Sequence, residues 1–278
     1  MATPDSPVHV VAASEGAPIV IRSVGWQEPL RWLAAGWRDI RRAWGVALFY
    51  GSCFWLMALA LAWVFRASPE YTMSLASGCL LLGPFLAMGL YDTSRRLELG
   101  LAPDLGQSIT CWDKQLASMG MLVLVLIVLE LLWGRASLVV FAVFFNTGMP
   151  STTGVVQALF SVDNWEFIAV YSAVGGVFAA LVFGSTVVSL PMMLDRSTDA
   201  MTAAITSLRV VTTQTGVLVL WGLLIVLLVA VALLVPWQWP LVVVGPWLGC
   251  ASWHAYRACV GSQPVTAEGA APATRSPA

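Results

Sequence analysis

Six long apolar runs constrain this chain more than any other feature of its sequence. A hydrocarbon core about 30 Å thick is crossed by a helix of about 20 apolar residues, so a run of that length predicts a membrane span. The runs enclose only two acids, Glu130 and Glu166. They extend over Trp44 to Phe65, Tyr71 to Tyr91, Leu116 to Trp133, Trp165 to Leu194, Gln214 to Val235 and Trp239 to Val260. The sequence therefore predicts an all-α integral membrane protein with six transmembrane helices.

The composition points to the same class of protein. Of the 278 residues, 59% are apolar and only 10% are charged, whereas charged residues make up about 25% of an ordinary soluble domain. With a net charge of −1, the few cations cannot form the basic face that phosphate backbones require. We expect the lipid bilayer to be the main partner and expect no nucleic-acid partner.

The connections between the runs predict three helical hairpins. Only Arg66 to Glu70 separates the first two runs, and only Pro236 to Gln238 separates the last two. The middle pair is joined by the longer segment Gly134 to Asn164, which contains the apolar run Ala136 to Phe145. That run is too short to cross a membrane, so it predicts a re-entrant or surface helix.

The distribution of cations predicts the orientation. A cytoplasmic N-terminus places twelve Lys and Arg residues inside and leaves only Arg66 and Arg135 outside, as the positive-inside rule favours. An even number of spans then returns the C-terminus to the cytoplasm. We therefore expect a multi-pass protein of the bacterial inner membrane with both termini cytoplasmic.

An amphipathic helix is predicted ahead of the first span, between Trp26 and Trp44. Its apolar residues recur at helical spacing, while arginines cluster on the other side at Arg31, Arg38, Arg41 and Arg42. Such a helix lies at a membrane surface. It is either a platform for lipid headgroups or a partner, or an interfacial anchor for the following helix.

A recurring helix exit indicates an internal repeat. The pair Gly83-Pro84 precedes Tyr91 and Arg95 at the same distances at which Gly245-Pro246 precedes Trp253 and Arg257, and Leu190 to Ser197 is a looser copy around Pro191. Comparable cytoplasmic amphipathic segments precede each outward helix, at Leu30 to Gly45, Leu105 to Gly120 and Met201 to Gly216. We predict repeats at about residues 29–96, 104–196 and 200–257 of a membrane domain that spans residues 26–260.

Disordered cytoplasmic tails are predicted on both sides of this domain. Residues 1–25 carry three prolines and no apolar run preceded by basic residues, so we also expect no cleaved signal peptide. Residues 261–278 are rich in Ala, Pro, Thr and Ser.

Glu130 is the candidate intramembrane acid. A carboxylate at membrane depth costs roughly 2.5 to 3.5 kcal/mol, which makes such residues functional candidates. Because Glu130 stands near the outer end of the third run, it could pair with Arg66 or Arg135, or it could take part in a proton or ion pathway.

A candidate polar cluster lies at the cytoplasmic helix exits. Its members are Asp92, Arg95, Arg96, Asp195, Arg196, His254 and Arg257. Asp92 and Asp195 stand at helix C-termini, which disfavour negative charge, so we expect cationic partners for both. The cluster could clamp the helix ends, or Arg95 and Arg96 could recognise an anionic headgroup or nucleotide. His254 is interpreted as an interfacial residue, with a ligand role shared with another subunit as the alternative.

Three prolines are candidate helix kinks. Pro84, Pro191 and Pro246 each remove a helical hydrogen bond, and they either frame a central cavity or serve as packing kinks. Gly175, Gly176, Ala179 and Ala180 give the fourth span a small-residue face suited to close helix contact.

No pattern in the sequence supports catalysis or a bound cofactor. The nucleophilic triads, the His-Glu-x-x-His motif, the Walker motif and Gly-x-Gly-x-x-Gly are missing in a usable setting. The five cysteines form no Cys-x-x-Cys pair and are interpreted as packing residues. We expect no metal, no cofactor and no enzymatic activity.

Four segments carry a resemblance to a known family. They are Pro29 to Asp39, Gly83 to Arg96, Leu190 to Arg196 and Ser252 to Arg257. Together they resemble the bacterial predicted integral membrane proteins grouped as domain of unknown function 2189, over about residues 25 to 260. That family has no established activity, and some members are described as cytochrome c oxidase subunits. Because haem and copper ligands are missing here, the resemblance implies at most an accessory or assembly subunit.

Three functions remain open from the sequence. The first is a non-catalytic inner-membrane protein that packs against a larger respiratory or envelope complex. The second is a transporter or channel for a small solute, lipid or ion, with Glu130 in its pathway. The third, with the least support, is a membrane enzyme.

Overall fold

The protein is almost entirely helical where the computed structural model describes it, over residues 9–11, 19–68, 71–144, 164–196 and 198–262. The helices are α1 (Glu28–Arg42), α2 (Trp44–Ala67), α3 (Thr72–Glu98), α4 (Leu105–Thr110), α5 (Leu116–Phe144), α6 (Trp165–Thr186), α7 (Ser189–Arg196), α8 (Ala200–Thr213), α9 (Thr215–Leu234) and α10 (Leu241–Cys259). The strands are β1 (His9–Val11), β2 (Ile19–Ile21) and β3 (Val260–Ser262).

Five helical segments of the described chain are long and apolar enough to cross a membrane. They are Trp44–Ala67, Leu75–Glu98, Leu116–Phe144, Trp165–Arg196 and Thr215–Leu234. These segments correspond to the first five predicted spans. The sixth, α10, is a helix of 19 residues but is not among the five, because its second half carries His254 and Arg257 and contributes Trp253 and Tyr256 to the core.

The prediction for the connection after the third span was wrong in its first part. Residues 134–144 form neither a separate re-entrant helix nor a surface helix, because α5 continues without a break from Leu116 to Phe144. Gly134 is accommodated in the helix, and the hydroxyl of Ser137 donates to its carbonyl at 2.9 Å. Phe141 and Phe144 then pack on Phe167 of α6. Residues 145–163 of the predicted connection lie outside the described part of the chain.

The fourth predicted span also differs, since it comprises two helices instead of one. α6 ends at Thr186 and α7 begins at Ser189. Ser207 of α8 hydrogen-bonds backbone groups at the break. Its hydroxyl donates to the carbonyl of Gly184 at 2.6 Å and accepts from the N–H of Val188 at 3.2 Å. Pro191 consequently stands in the first turn of α7, where a missing N–H costs nothing. Pro84 and Pro246 lie inside α3 and α10.

The core lies where α1, α3, α7, α8, α9 and α10 come together. Trp221, Trp253, Tyr256 and Met193 have 1% or less of their surface exposed. α1 and α10 are in backbone contact, since a Cβ added to Gly36 would lie 2.6 Å from the backbone N of Ala251. In the apolar 18-residue stretch of each of α2, α5 and α6, by contrast, only 11% is buried. The protein is therefore tightly packed around the helix exits and open along its apolar flanks.

The two ends of the chain meet in a small antiparallel sheet with the order β1-β2-β3. Val20 pairs with Val10 on one side and with Gly261 on the other. Residues 9–11, 19–21 and 261–262 are therefore in strands, which corrects the prediction of disorder for these positions. The pairing of β2 with β3 is extended by the N–H of Arg22, which donates to the carbonyl of Cys259. Residues 1–8, 12–18 and 263–278 of the predicted tails lie outside the described part of the chain.

Candidate functional site

The exits of three helices meet in one polar group, which we call the exit cluster: Glu98, Asp195, Trp253, Tyr256 and Arg257. Arg257 of α10 binds Glu98 of α3, with Nη2 and Nε at 2.9 and 3.1 Å from Oε1. Its Nη1 lies 3.6 Å from Oδ2 of Asp195 at the end of α7. One guanidinium thus joins carboxylates from two other helices.

Each carboxylate of the exit cluster also receives an aromatic donor. The indole of Trp253 donates to Oε2 of Glu98 at 3.0 Å, and the hydroxyl of Tyr256 donates to Oδ2 of Asp195 at 2.8 Å. Both aromatic residues are 1% exposed, and their ring centroids are 5.6 Å apart. Charge-assisted hydrogen bonds of this kind are stronger than neutral ones. The donors and acceptors therefore satisfy one another within the cluster.

The two aspartates differ from each other. Asp195 has the cationic partner that we expected, Arg257. Asp92 is 8% exposed, and among the described side chains no hydrogen bond or ion pair joins it to a partner. The nearby Arg96 instead donates to Gln107 and to the carbonyl of Ala102. Arg95 and Asp92 are therefore outside the hydrogen-bond network of the exit cluster, although Arg95 and Arg96 act electrostatically on Asp92.

Two further residues complete the polar contacts at this end. Arg196 donates from Nη2 to the carbonyl of Gly261 in β3 at 3.1 Å, which ties the end of α7 to the terminal sheet. Asp199 caps α8 and accepts from the N–H of Thr202 at 3.0 Å. That backbone hydrogen bond lowers the pKa of the Asp199 carboxyl. The carboxylate of Asp199 is thus hydrogen-bonded within its own helix.

His254 has a partner that the sequence pattern did not indicate. Its Nε2 lies 2.8 Å from Oδ2 of Asp39 in α1, and only 9% of the Asp39 side chain is exposed. Asp39 was missed because an acid on a predicted surface helix is expected to face water, and its partner lies 215 residues further along the chain. The pair fixes α1 against α10 beside the contact of Gly36.

Glu130 lies deeper than the sequence indicated. Because α5 continues to Phe144, Glu130 stands midway along a helix of 29 residues instead of near its outer end. Its Oε1 accepts from the hydroxyl of Ser77 in α3 at 2.5 Å. Among the described residues, no ion pair joins it to Arg66 or Arg135. Ser77 was missed because a serine inside an apolar run carries no periodic signal.

Two pockets meet at Glu130. The larger, of about 530 Å³, lies between α5 and α6 and is lined by Trp133 and Phe178 among other apolar residues. The second, of about 440 Å³, includes Ser77 and Arg135. Sites for small molecules have volumes of about 300 to 1,000 Å³ and few polar groups. None of the three candidate prolines is among the described residues that line these two pockets.

The described part of the chain brings no three His, Cys, Asp or Glu side chains together as a possible metal site. All five cysteines are free thiols. Burial raises the pKa of Cys111 to about 12, which keeps this thiol protonated and unreactive at neutral pH.

Comparison with known proteins gives one match. Residues 71–195 match the model of a family described as predicted integral membrane protein, domain of unknown function 2189. The matched segment runs from the start of α3 to Asp195, so it contains Glu98 and Glu130 but not Arg257. No curated protein and no solved structure matches the chain. Over residues 71–195 the chain is therefore similar to that family of integral membrane proteins, which agrees with the resemblance over this part of the chain.

Proposed function

We propose that the protein is a non-catalytic inner-membrane protein that serves as an accessory or assembly subunit of a respiratory or other membrane complex. The observation that carries this proposal is the contrast between the packed helix exits and the open apolar flanks. Only 11% of the apolar 18-residue stretch of each of α2, α5 and α6 is buried, against 38% of the corresponding stretch of α3. These flanks must be covered by lipid or by the helices of a partner.

A small-residue face on α6 supports close contact with a partner helix. Ser172, Gly176 and Ala180 are spaced by four residues and are all exposed. A Cβ added to Gly176 would meet nothing within 4 Å. Without a hydrophobic driving force inside a membrane, helices associate where small residues let their backbones approach. This face is therefore available to a helix of another subunit.

The proposed topology has six spans with both termini cytoplasmic, and α10 is the sixth. Two observations support it. The terminal sheet joins β2, which precedes α1, to β3, which follows α10, as is expected if both ends of the domain lie on one side of the bilayer. A tight turn at Pro236–Gln238 reverses the chain between α9 and α10, where the indole of Trp55 donates to the carbonyl of Trp237 at 2.7 Å. With five spans the two ends would lie on opposite sides.

Purification of the intact protein in mild detergent, with identification of the proteins retained, tests the proposed function. We expect a reproducible membrane complex, and we expect Gly176→Leu to release the partner. Gly120→Leu is the matched control, since Gly120 is also exposed with nothing within 4 Å of an added Cβ. Recovery of the unmodified protein as a lone oligomer would contradict accessory function.

A second candidate function, transport of a small solute, lipid or ion, is favoured by one specific observation. Glu130 is an acid at the middle of a membrane helix, and it lines both pockets described above. Intramembrane acids mark substrate and ion pathways in many transporters. Flux into proteoliposomes should be lost in Glu130→Gln and reduced in Ser77→Ala. Unchanged flux in Glu130→Gln would remove this residue from any pathway.

A further inference from the structure

Three arginines in the last turns of α1 converge on one cleft. Arg38, Arg41 and Arg42 line a cavity of about 310 Å³, and no other described residue contributes to its wall. All three side chains are exposed. α2 begins at Trp44, so the cleft lies immediately before a candidate membrane span.

The positive charge of this cleft is not neutralised by the described part of the chain. No carboxylate of the described residues lies within ion-pair distance of Arg38, Arg41 or Arg42. Asp39 stands among them in the sequence, but its carboxylate faces α10 and is bound to His254 at 2.8 Å. Arg31, by contrast, is paired with Glu28 at 2.6 Å. The negative end of the helix dipole favours cations here, yet it does not require three of them to share one cleft.

An apolar track continues from the cleft along the membrane span. Trp37 at the end of α1 and Trp44 at the start of α2 are 42% and 70% exposed, on the two sides of the break at Ala43. Leu48 and Leu56 extend the track along α2 at helical spacing and are 49% and 58% exposed. Exposed tryptophans are typical of the headgroup level of a bilayer. The cleft precedes a candidate span beside exposed tryptophans, a position suited to lipid phosphates, and the exposed leucines of α2 offer a surface suited to acyl chains.

We propose that Arg38, Arg41 and Arg42 bind the phosphate of an anionic phospholipid whose acyl chains lie along Trp44, Leu48 and Leu56. Guanidinium groups match phosphate oxygens in a bidentate geometry that ammonium groups do not provide. The apolar track distinguishes a lipid from free phosphate, which would gain nothing from it. This site is independent of the proposed accessory function.

Native mass spectrometry of the full chain in an uncharged detergent tests the site. The probes are phosphatidylglycerol, phosphatidylcholine and inorganic phosphate, each added in a titration. We expect one molecule of phosphatidylglycerol to bind in a saturable manner and phosphatidylcholine to bind more weakly. Replacing all three arginines with glutamine should weaken phosphatidylglycerol binding on the order of 100-fold at low ionic strength, at about 1 kcal/mol for each arginine. Added salt should reduce this difference.

Two controls keep the test decisive. Arg31→Gln removes a cation that is already paired and should leave lipid binding unchanged. A variant with lysine at positions 38, 41 and 42 retains the charge but not the bidentate geometry, so it should bind between the unmodified protein and the triple glutamine variant. Equal binding by the folded triple glutamine variant, or equal binding of the two lipids, would overturn the site. Displacement of phosphatidylglycerol by inorganic phosphate at similar concentration would overturn its assignment to a lipid.

Discussion

At the scale of single residues, Arg257 connects more of the molecule than any other described cation. It binds Glu98 and Asp195, which lie at the ends of two different helices. Trp253 and Tyr256 each donate a hydrogen bond to one of these carboxylates. Glu98 and Arg257 are each 39% exposed, so water screens part of their attraction. We therefore expect the exit cluster to clamp these helix ends, with a moderate effect on stability.

Arg257→Gln should lower the free energy of unfolding by about 1 to 2 kcal/mol, because both carboxylates lose a charged partner but keep an aromatic donor. The measurement is the midpoint of detergent-induced unfolding. Arg31→Gln is the matched control, since Arg31 is 69% exposed in a pair within one helix, and it should change stability by less than about 0.5 kcal/mol. A larger effect of Arg31→Gln than of Arg257→Gln would contradict the clamp.

The cap of α8 gives a prediction for pH dependence. Because the Thr202 N–H lowers the pKa of Asp199 in the folded protein, the ionised carboxylate stabilises the fold at pH values above about 3.9, the ordinary pKa of Asp. This stability is lost as the pH falls through the lower, folded pKa. Asp199→Ala should cost about 1 kcal/mol at neutral pH. Asp199→Asn preserves a cap that does not titrate, so the advantage of the native residue over Asn should disappear in acid.

At the scale of helices, α1 and α10 are in close backbone contact. A Cβ at Gly36 would meet the backbone of Ala251, which cannot move aside as a flexible side chain would. We expect Gly36→Ala to separate the two helices and cost about 1 to 3 kcal/mol in unfolding free energy. Gly45→Ala is the control, because nothing lies within 4 Å of its added Cβ. Equal stability of the two variants would show that the helices are not in close contact.

The sequence predicted the positions of the apolar helices better than their ends. The length of an apolar run identifies a span, but Gly134 and Arg135 looked like its end, although α5 passes through both. Arginine is a good helix former and does not end a helix by itself. Here Phe167 packs on Phe141 and Phe144 in the turns that follow. The break at Val187 is likewise satisfied by Ser207 from another helix.

The sequence also predicted some contacts of the polar residues and missed others. The repeated exits indicated that Asp195 and Arg257 lie at one boundary, because each follows a proline-containing apolar run that is predicted to return to the cytoplasmic side. The sequence did not indicate that Asp39 would take His254, or that Ser77 would reach Glu130. Such pairs depend on how helices are rotated against each other, and this rotation follows from packing of the whole domain.

At the scale of the whole molecule, the terminal sheet makes the topology testable. With six spans, a reporter that is active only in the periplasm should give no signal when fused after Pro264, and it should give a signal when fused after Ser68. A cytoplasmic reporter should show the reverse pattern. A periplasmic signal after Pro264 would contradict the six-span topology and would leave α10 on the outer side.

The contact of α1 with α10 also sets the order of events during synthesis. Asp39 must wait for His254, which is made 215 residues later, or roughly 10 to 40 seconds at usual rates of translation. Throughout that interval the face of α1 that carries Trp32, Gly36 and Asp39 has no α10 to cover it. A chain that stops before α10 would expose this face permanently, so quality-control proteases could recognise an unfinished protein by its first helix.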